Sequence, residues 1–279
     1  MTQQMGALRF LKRLRFNEPL TQEPPAMAVT LTPVPRFPMV QPGDDLAALL
    51  IAACEQGALA PADGDVVVVA QKIVSKAEGR YVDLAQVRPS AHAESLAAQV
   101  DKDPRLVEVI LSKSQRVVRH RPGVLIVEHR LGFIMANAGV DRSNVDPALG
   151  TEPVLLLPRD PDASAARLRD RLGAHFRSRP AVIVTDSWGR AWRRGTVGIA
   201  LGAAGLPALM DLRGRSDLFG HELRVTETGF ADEIASAASL IMGQADEAQP
   251  VVLVRGLSWT GAATPGGSLI RPPDEDLFR

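Results

Sequence analysis

The sequence predicts a mixed α+β protein, neither a P-loop nor a Rossmann fold, and three observations carry that expectation. Short apolar runs rich in β-branched residues and stretches of helical period succeed one another without the strict alternation of a doubly wound sheet. No Gly-Lys dipeptide occurs, which removes a Walker-type phosphate loop, and no G-x-G-x-x-G follows a strand-like run. The 279 residues, 46% apolar and 23% charged, suffice for two interlocked cores and have ordinary globular make-up.

Residues 1–26 stand apart. Leu8-Arg-Phe-Leu-Lys-Arg-Leu-Arg-Phe16 is basic, and a Pro/Gln/Glu-rich stretch follows it. A secretory signal needs a longer apolar core and a small-residue cleavage site. The segment is therefore expected to be a flexible extension, with the folded unit spanning residues 27–279. A strand is predicted at residues 29–32, then a Pro-rich loop, then a helix over residues 46–56 with Asp44 or Asp45 as its cap. The Val run at residues 66–70 reads as a buried strand. Helices are expected at 91–100 and 106–111, and strands at 117–118, 124–127 and 133–135. Asp162 or Ser164 would cap a helix over 165–176. Residues 182–184 read as a core strand followed by a Trp-Gly-Arg-Ala-Trp-Arg turn. The Gly/Ala-rich stretch 195–206 suggests close backbone packing. Residues 230–242 have clear helical period with Gly243 as terminator, residues 251–254 close as a strand, and residues 268–279 form a charged tail.

Composition excludes several classes. Net charge is zero, so no global field argues for nucleic acid. No apolar run approaches the ~20 residues a membrane-spanning helix needs. The one cysteine, Cys54, rules out an internal disulfide and points to the cytoplasm. The five histidines are scattered, against a zinc cluster. Neither a G-x-S-x-G elbow nor an H-E-x-x-H helix is present.

Two segments carry the chemistry. Gly132-Phe-Ile-Met-Ala-Asn-Ala-Gly-Val-Asp-Arg-Ser-Asn144 places Asp141 just past an apolar run, and Ala181-Val-Ile-Val-Thr-Asp-Ser-Trp-Gly-Arg-Ala-Trp-Arg193 ends a strand with Asp186 and Ser187. Carboxylates on short, well-supported side chains suit a hard divalent cation, so Asp141 and Asp186 are read as a metal pair. Capping turns or pairing with arginines is their simpler role. Only five lysines occur, and two, Lys72 and Lys76, follow the Val run. A compact ammonium there suits a phosphate; a solvated strand end is the plainer alternative.

These residues resemble the coenzyme F420-0:L-glutamate ligase family. The matching stretches are Gly43-Asp-Asp-Leu46, residues 65–80 with their Val-Ser-Lys-Ala-Glu-Gly core, residues 132–144, 185–193 and 200–205, and residues 231–256 with Met-Gly-Gln-Ala-Asp-Glu, in order from about residue 27 to the C-terminus. The resemblance implies two intertwined α+β lobes, a homodimer, GTP as phosphoryl donor, and magnesium or manganese ions, two of them, with potassium as a further option. It implies coenzyme F420-0 and L-glutamate as substrates, with no nucleic-acid or membrane partner. Position by position it assigns metal contacts to Asp141, Asp186, Ser187 and Gln244. Nucleotide contacts fall on Gln71, Lys72, Lys76, Asn144 and the loop Met242, Gly243, Gln244, Ala245, Asp246 and Glu247. An early loop contact maps loosely to Pro35, Arg36, Phe37 and Pro38.

The implied chemistry is amide formation through an acyl phosphate, which needs charge neutralisation and positioning more than a covalent protein group. Lys76, Asp141 and Asp186 would serve catalysis, while Arg190 and Arg193 have the fork that suits an acidic substrate. Trp188 and Trp192 could stack on a flat ring or pack in the core. Absent from this chain is the Thr-Asp pair that some relatives carry near Thr196. Rival readings are a ligase of the same mechanism with another acidic acceptor, a metal-dependent phosphohydrolase, and an inactive GTP-binding homologue.

Overall fold

The computed structural model describes residues 28–277; the expected extension at residues 1–26 lies outside the described residues. In chain order the elements are β1 (Thr30–Pro33), α1 (Leu46–Gln56), β2 (Val66–Ala70), α2 (Gln71–Ala77), β3 (Tyr81–Asp83), α3 (Ala91–Val100), α4 (Pro104–Lys113), β4 (Ser114–Arg121), β5 (Val124–His129), β6 (Ile134–Ala136), β7 (Pro153–Leu155), α5 (Pro161–Phe176), β8 (Ala181–Gly189), β9 (Thr196–Ala204), β10 (Met210–Asp211), β11 (Glu227–Thr228), α6 (Phe230–Met242) and β12 (Val251–Arg255). The fold is α+β, with one mixed sheet and three smaller antiparallel ones. Among the described residues no helix is long and apolar enough to cross a membrane.

The five-stranded sheet has the order β1-β12-β2-β8-β9, and its β2–β8 pair is parallel while the others are antiparallel. Both faces are covered, which explains why β2 is an unbroken valine run and not an alternating one. Val67, Val69, Val182, Val184 and Leu253 pack against α1 and α5. Val66, Val68, Ile183, Val252 and Val254 pack against α6. Each fully buried valine contributes about 2 kcal/mol. At the foot of β2, Asp65 is 2% exposed and holds Arg255 of β12 at 2.7 Å, pairing a buried charge as burial demands. A separate apolar cluster joins α3, α4 and β5 through Leu96, Val100, Ile110, Leu125 and Val127.

Several boundaries match the sequence pattern. Helix α1 covers the expected residues, with Asp45 as N-cap accepting from Ala48 N at 3.1 Å, while Asp44 accepts from Gln41 N at 2.7 Å. Helix α6 ends where expected, on Gly243 at φ 71°.

Two expectations are corrected, and the close packing expected of the Gly/Ala stretch is found. Helix α5 begins at Pro161, and its cap is Asp160, which accepts from Ala163 N at 2.9 Å. Proline at the first helical position gives up only an N–H that has no helical partner, so the Pro-Asp pair starts the helix where a loop was expected. Asp162 instead accepts from Ala203 N at 2.8 Å and Gly266 N at 2.6 Å, and Ser164 Oγ donates to Glu78 at 2.7 Å. Trp188 and Gly189 belong to β8, because β9 pairs with them through Val197 and Thr196. The Gly/Ala stretch is itself strand β9, and its glycines admit helices: a Cβ on Gly202 would lie 2.3 Å from Pro161 C, and one on Gly198 2.5 Å from Ala235 O.

Candidate active site

The site grows from the only parallel pair among the described strands. β2 and β8 run side by side with Ala70 opposite Thr185; β2 ends there, while β8 continues to Gly189 paired with β9 alone. Ala70 turns directly into α2. Residues four apart share a helix face, and Gln71 with Ser75, and Lys72 with Lys76, form two such pairs. Ser75 Oγ donates to Gln71 Oε1 at 2.9 Å, which leaves the Gln71 amide for Asp186. Lys76 is only 5% exposed; burial, then the Lys72 charge, pull its pKa below the ordinary lysine value, opposed by Asp146.

Asp186 follows Thr185 in β8, just past the end of β2. Its Oδ1 accepts from Ser187 N at 2.8 Å. Burial first, and then the nearby Asp141 charge, push its carboxyl up to about 6, against the pull of Ser187 N–H, Lys72 and Gln71. Asp141 is fixed by a two-way backbone bridge to Leu155, at 2.9 and 2.8 Å. Its carboxylate meets Lys72 Nζ at 2.8 Å, Ser143 N at 2.7 Å and Ser143 Oγ at 3.0 Å. Burial alone would raise its pKa, but these partners outweigh it and hold the group below the usual carboxylate range.

The motif ahead of Asp141 is built of small residues for a backbone reason. Asn137, Ala138 and Gly139 are all left-handed, at φ 53°, 51° and 66°, a run that costs energy in any residue with a Cβ. A Cβ on Gly139 would sit 2.7 Å from the Leu157 side chain. Beyond Asp141, Asn144 donates Nδ2 to Ala245 O at 3.1 Å. The loop after α6 closes the ring: Ser187 Oγ donates to Gln244 Oε1 at 2.5 Å, and Ala245 N donates to Glu247 at 2.8 Å. Gly243 tolerates no side chain, since a Cβ would overlap the Glu247 carboxylate.

These segments enclose a cavity of about 370 Å³, lined by Phe37, Pro38, Gln71, Lys72, Lys76, Asn144, Asp186, Ser187 and residues 242–247 among others. Five segments far apart in sequence are thus brought together, and a cavity of this size accepts a nucleotide-sized ligand. Pro35 and Arg36 lie off its wall: the Pro35 ring packs against Gly57, and Arg36 is exposed. Arg190 and Arg193 stand on the 190–195 loop between β8 and β9, also off the wall. Arg190 Nη2 reaches Arg194 O at 3.5 Å, and its Nη1 is buried without a partner among the described residues; Arg193 is exposed. Trp188 packs edge-on against Phe133, ring centres 5.4 Å apart, so it is a core residue. The sequence reading missed Met39, Val40, Ile73, Thr185, Gly198, Ser239 and residues 248–250 of the wall. Ser239 sits one helical turn before Met242, and Thr185 directly precedes Asp186, so both were signalled only by position.

Asp186, Ser187 Oγ and Gln244 Oε1 line the cavity, Asp141 lies off its wall with its charge acting on Asp186, and all four offer oxygen donors. Among the described residues no three His, Cys, Asp or Glu side chains gather for a metal, so a soft-metal site is not built here. A half-buried carboxylate near a second one, with its pKa raised, is what a hard divalent cation would relieve. The donor set therefore fits magnesium or manganese.

A mixed α+β scaffold that brings Lys72, Lys76 and Asp186 to one cavity, with Asp141 bonded to Lys72 beside it, is the constitution of an enzyme acting on anionic groups. Comparison with known proteins narrows that class: the F420-0:Gamma-glutamyl ligase family matches residues 35–256, and the chain belongs to this family, whose members are carbon–nitrogen ligases of coenzyme F420 biosynthesis. It is 44% identical over 255 residues to the coenzyme F420:L-glutamate ligase of Methanothermobacter thermautotrophicus, covering 91% of this chain and 100% of that protein. The enzyme of the same name from Methanopyrus kandleri is 45% identical over 253 residues, covering 89% and 97%. That of Archaeoglobus fulgidus is 40% identical over 253 residues, covering 91% and 97%.

Proposed function

We propose that this chain joins L-glutamate to coenzyme F420-0 in a GTP-dependent reaction through an acyl phosphate, and repeats the step to add further γ-linked glutamates. It is proposed to act in the cytoplasm as a homodimer, residues 27–279 forming two interleaved lobes. The observation that carries the reading is the cavity itself: Lys72 and Lys76 on one wall, Asp186, Ser187 and Gln244 on another, and the 242–247 loop tied across them. The names of the relatives support the substrates.

Activation of a carboxylate puts a phosphoryl group between two anions, and the residues present serve to hold that charge. Asp141, Asp186, Ser187 and Gln244 would hold the divalent ions, which when bound neutralise phosphate charge. Lys76, buried and fixed on α2, offers an ammonium to a phosphate oxygen. Lys72 is bonded to Asp141, and with Asp141 engaged as a cation ligand its ammonium would be available to the nucleotide. Asn144 and the 242–247 loop, bonded to each other, position the nucleotide and exclude water. Arg190 and Arg193, on the loop beside β8, are proposed to contact the acidic substrates.

Steady-state kinetics of two variants test this. Asp186→Ala is expected to abolish turnover with the fold retained, and Lys76→Ala to raise KM for GTP about tenfold, the weight of one charge-assisted contact. Full activity in Asp186→Ala removes the metal role.

A further inference from the structure

A second gathering of positive charge lies outside the cavity. Arg80 is anchored at the start of β3, its O accepting from Leu156 N at 2.9 Å and its Nε donating to Leu157 O at 2.9 Å. Leu157 packs with Phe133, whose O accepts from His129 N at 2.7 Å, and the next residue, Arg130, donates its N to Lys113 O at 2.9 Å. This chain of contacts assembles Arg80, Lys113, His129 and Arg130, with Arg159 at the margin. Each charge acts on its neighbours: after burial, Arg80 and Arg130 hold Lys113 below its ordinary pKa, and Arg159 does the same to Arg80. His129, 7% exposed, is pushed down to about 4 by burial, then by Lys113, Arg80 and Arg130. It is therefore neutral, and because Leu131 N donates to Nδ1 at 3.0 Å, the ring proton sits on Nε2.

Compensation from within the described residues is thin. Glu78 acts on Arg80, but its carboxylate already accepts from Arg159 N at 2.9 Å and Ser164 Oγ at 2.7 Å, and faces Arg167 at 3.6 Å. Among the described residues, no ion pair within 4.0 Å is made by Arg80, Lys113, Arg130 or Arg159. Arg80 and Lys113 are half-buried while Arg130 and Arg159 are exposed; like charges gathered without an acid repel one another unless an anion joins them, and guanidinium forks beside an ammonium match phosphate or carboxylate oxygens.

We propose that Arg80, Lys113 and Arg130, with Arg159 at the margin and His129 as a neutral donor, form an anion site that takes a phosphate or carboxylate group of one of the ligase substrates. Only the identity of the ligand rests on the ligase reading; the site itself does not.

The test is calorimetric titration of the full chain with inorganic phosphate at saturating GTP, so that the cavity is already filled, alongside Lys113→Gln and Arg130→Gln. Wild type is expected to bind phosphate and each variant to bind it about tenfold more weakly, with GTP affinity unchanged. In phosphate-free buffer the variants should be as stable as wild type or more so, because repulsion is removed. Lower stability there with unchanged phosphate binding assigns these cations a structural role and overturns the site, as does a wild type that binds no phosphate. Kinetics identify the source: a tenfold rise in KM confined to F420-0 or confined to glutamate names that substrate, and no change in either overturns the substrate assignment. A chain without ligase activity would leave the phosphate titration readable.

Discussion

Asp186→Asn is expected to stabilise the metal-free protein while destroying its activity. The carboxyl is moved from 3.8 to about 6, mainly by burial. A group whose folded pKa is raised favours the folded state when protonated, so its contribution is whole below the unfolded value near 4 and is lost as pH rises through 6. The ionised form at pH 7 to 8 therefore costs the fold about 3 kcal/mol at most, at about 1.4 kcal/mol per tenfold change in protonation equilibrium. Asparagine keeps the shape and accepts from Ser187 N without the charge. For a chain of this length that is about 4 to 8 °C in Tm. The assay is thermal unfolding of both proteins from pH 4 to pH 8 in EDTA. The difference should be small at pH 4, open between pH 4 and pH 6, and level off above pH 6. Added manganese should then raise the wild-type Tm and leave that of the variant nearly unmoved, by linkage. A variant no more stable than wild type at pH 8 without metal would refute the buried-charge account, and equal manganese stabilisation of both would refute the ligand role.

Other expectations are simpler. Gly202→Val should unfold the protein or cost more than about 3 kcal/mol, because the Cβ meets backbone atoms of Pro161 that cannot rotate away; urea denaturation measures it, and a normal midpoint contradicts the packing. Asp160→Ala should cost about 1 kcal/mol through loss of the bond to Ala163 N, whereas the charge change alone at a solvent-facing site would cost little; the same denaturation series separates them. Cys54, whose thiol burial pushes up to about 11, should react with a disulfide reagent at least a hundredfold more slowly in native than in unfolded protein, and rapid native labelling would deny its burial.

Four strands of the five-stranded sheet were legible because they are apolar or β-branched runs and both faces of the sheet are covered: the Val run gave β2 to the residue, and the Phe230 to Met242 period gave α6. Short elements were not legible. α2 has seven residues and two lysines, too few for a period, and β3 and β7 have three residues each, held by each other and by Asp141 rather than by their own pattern. β9 hid because five of its nine residues are Gly or Ala, chosen to let α5 and α6 approach, a tertiary requirement that overrides strand propensity. At the site, Asp186, Ser187, Gln244 and Asn144 could be named from motifs, and the structure brings them to one ring. What the motifs could not show is that Lys72 bonds to Asp141, since a contact across 69 positions leaves no local trace, or that Pro35 and Arg36 turn away from the cavity while Phe37 and Pro38 face it.

The most direct measurement is GDP release from GTP by the purified chain with magnesium or manganese, with and without F420-0 and L-glutamate, followed by mass analysis of the deazaflavin product. The expected result is turnover that requires both substrates and a product heavier by one or more glutamyl units. GTP hydrolysis indifferent to F420-0 and glutamate, or no heavier product, would contradict the ligase reading.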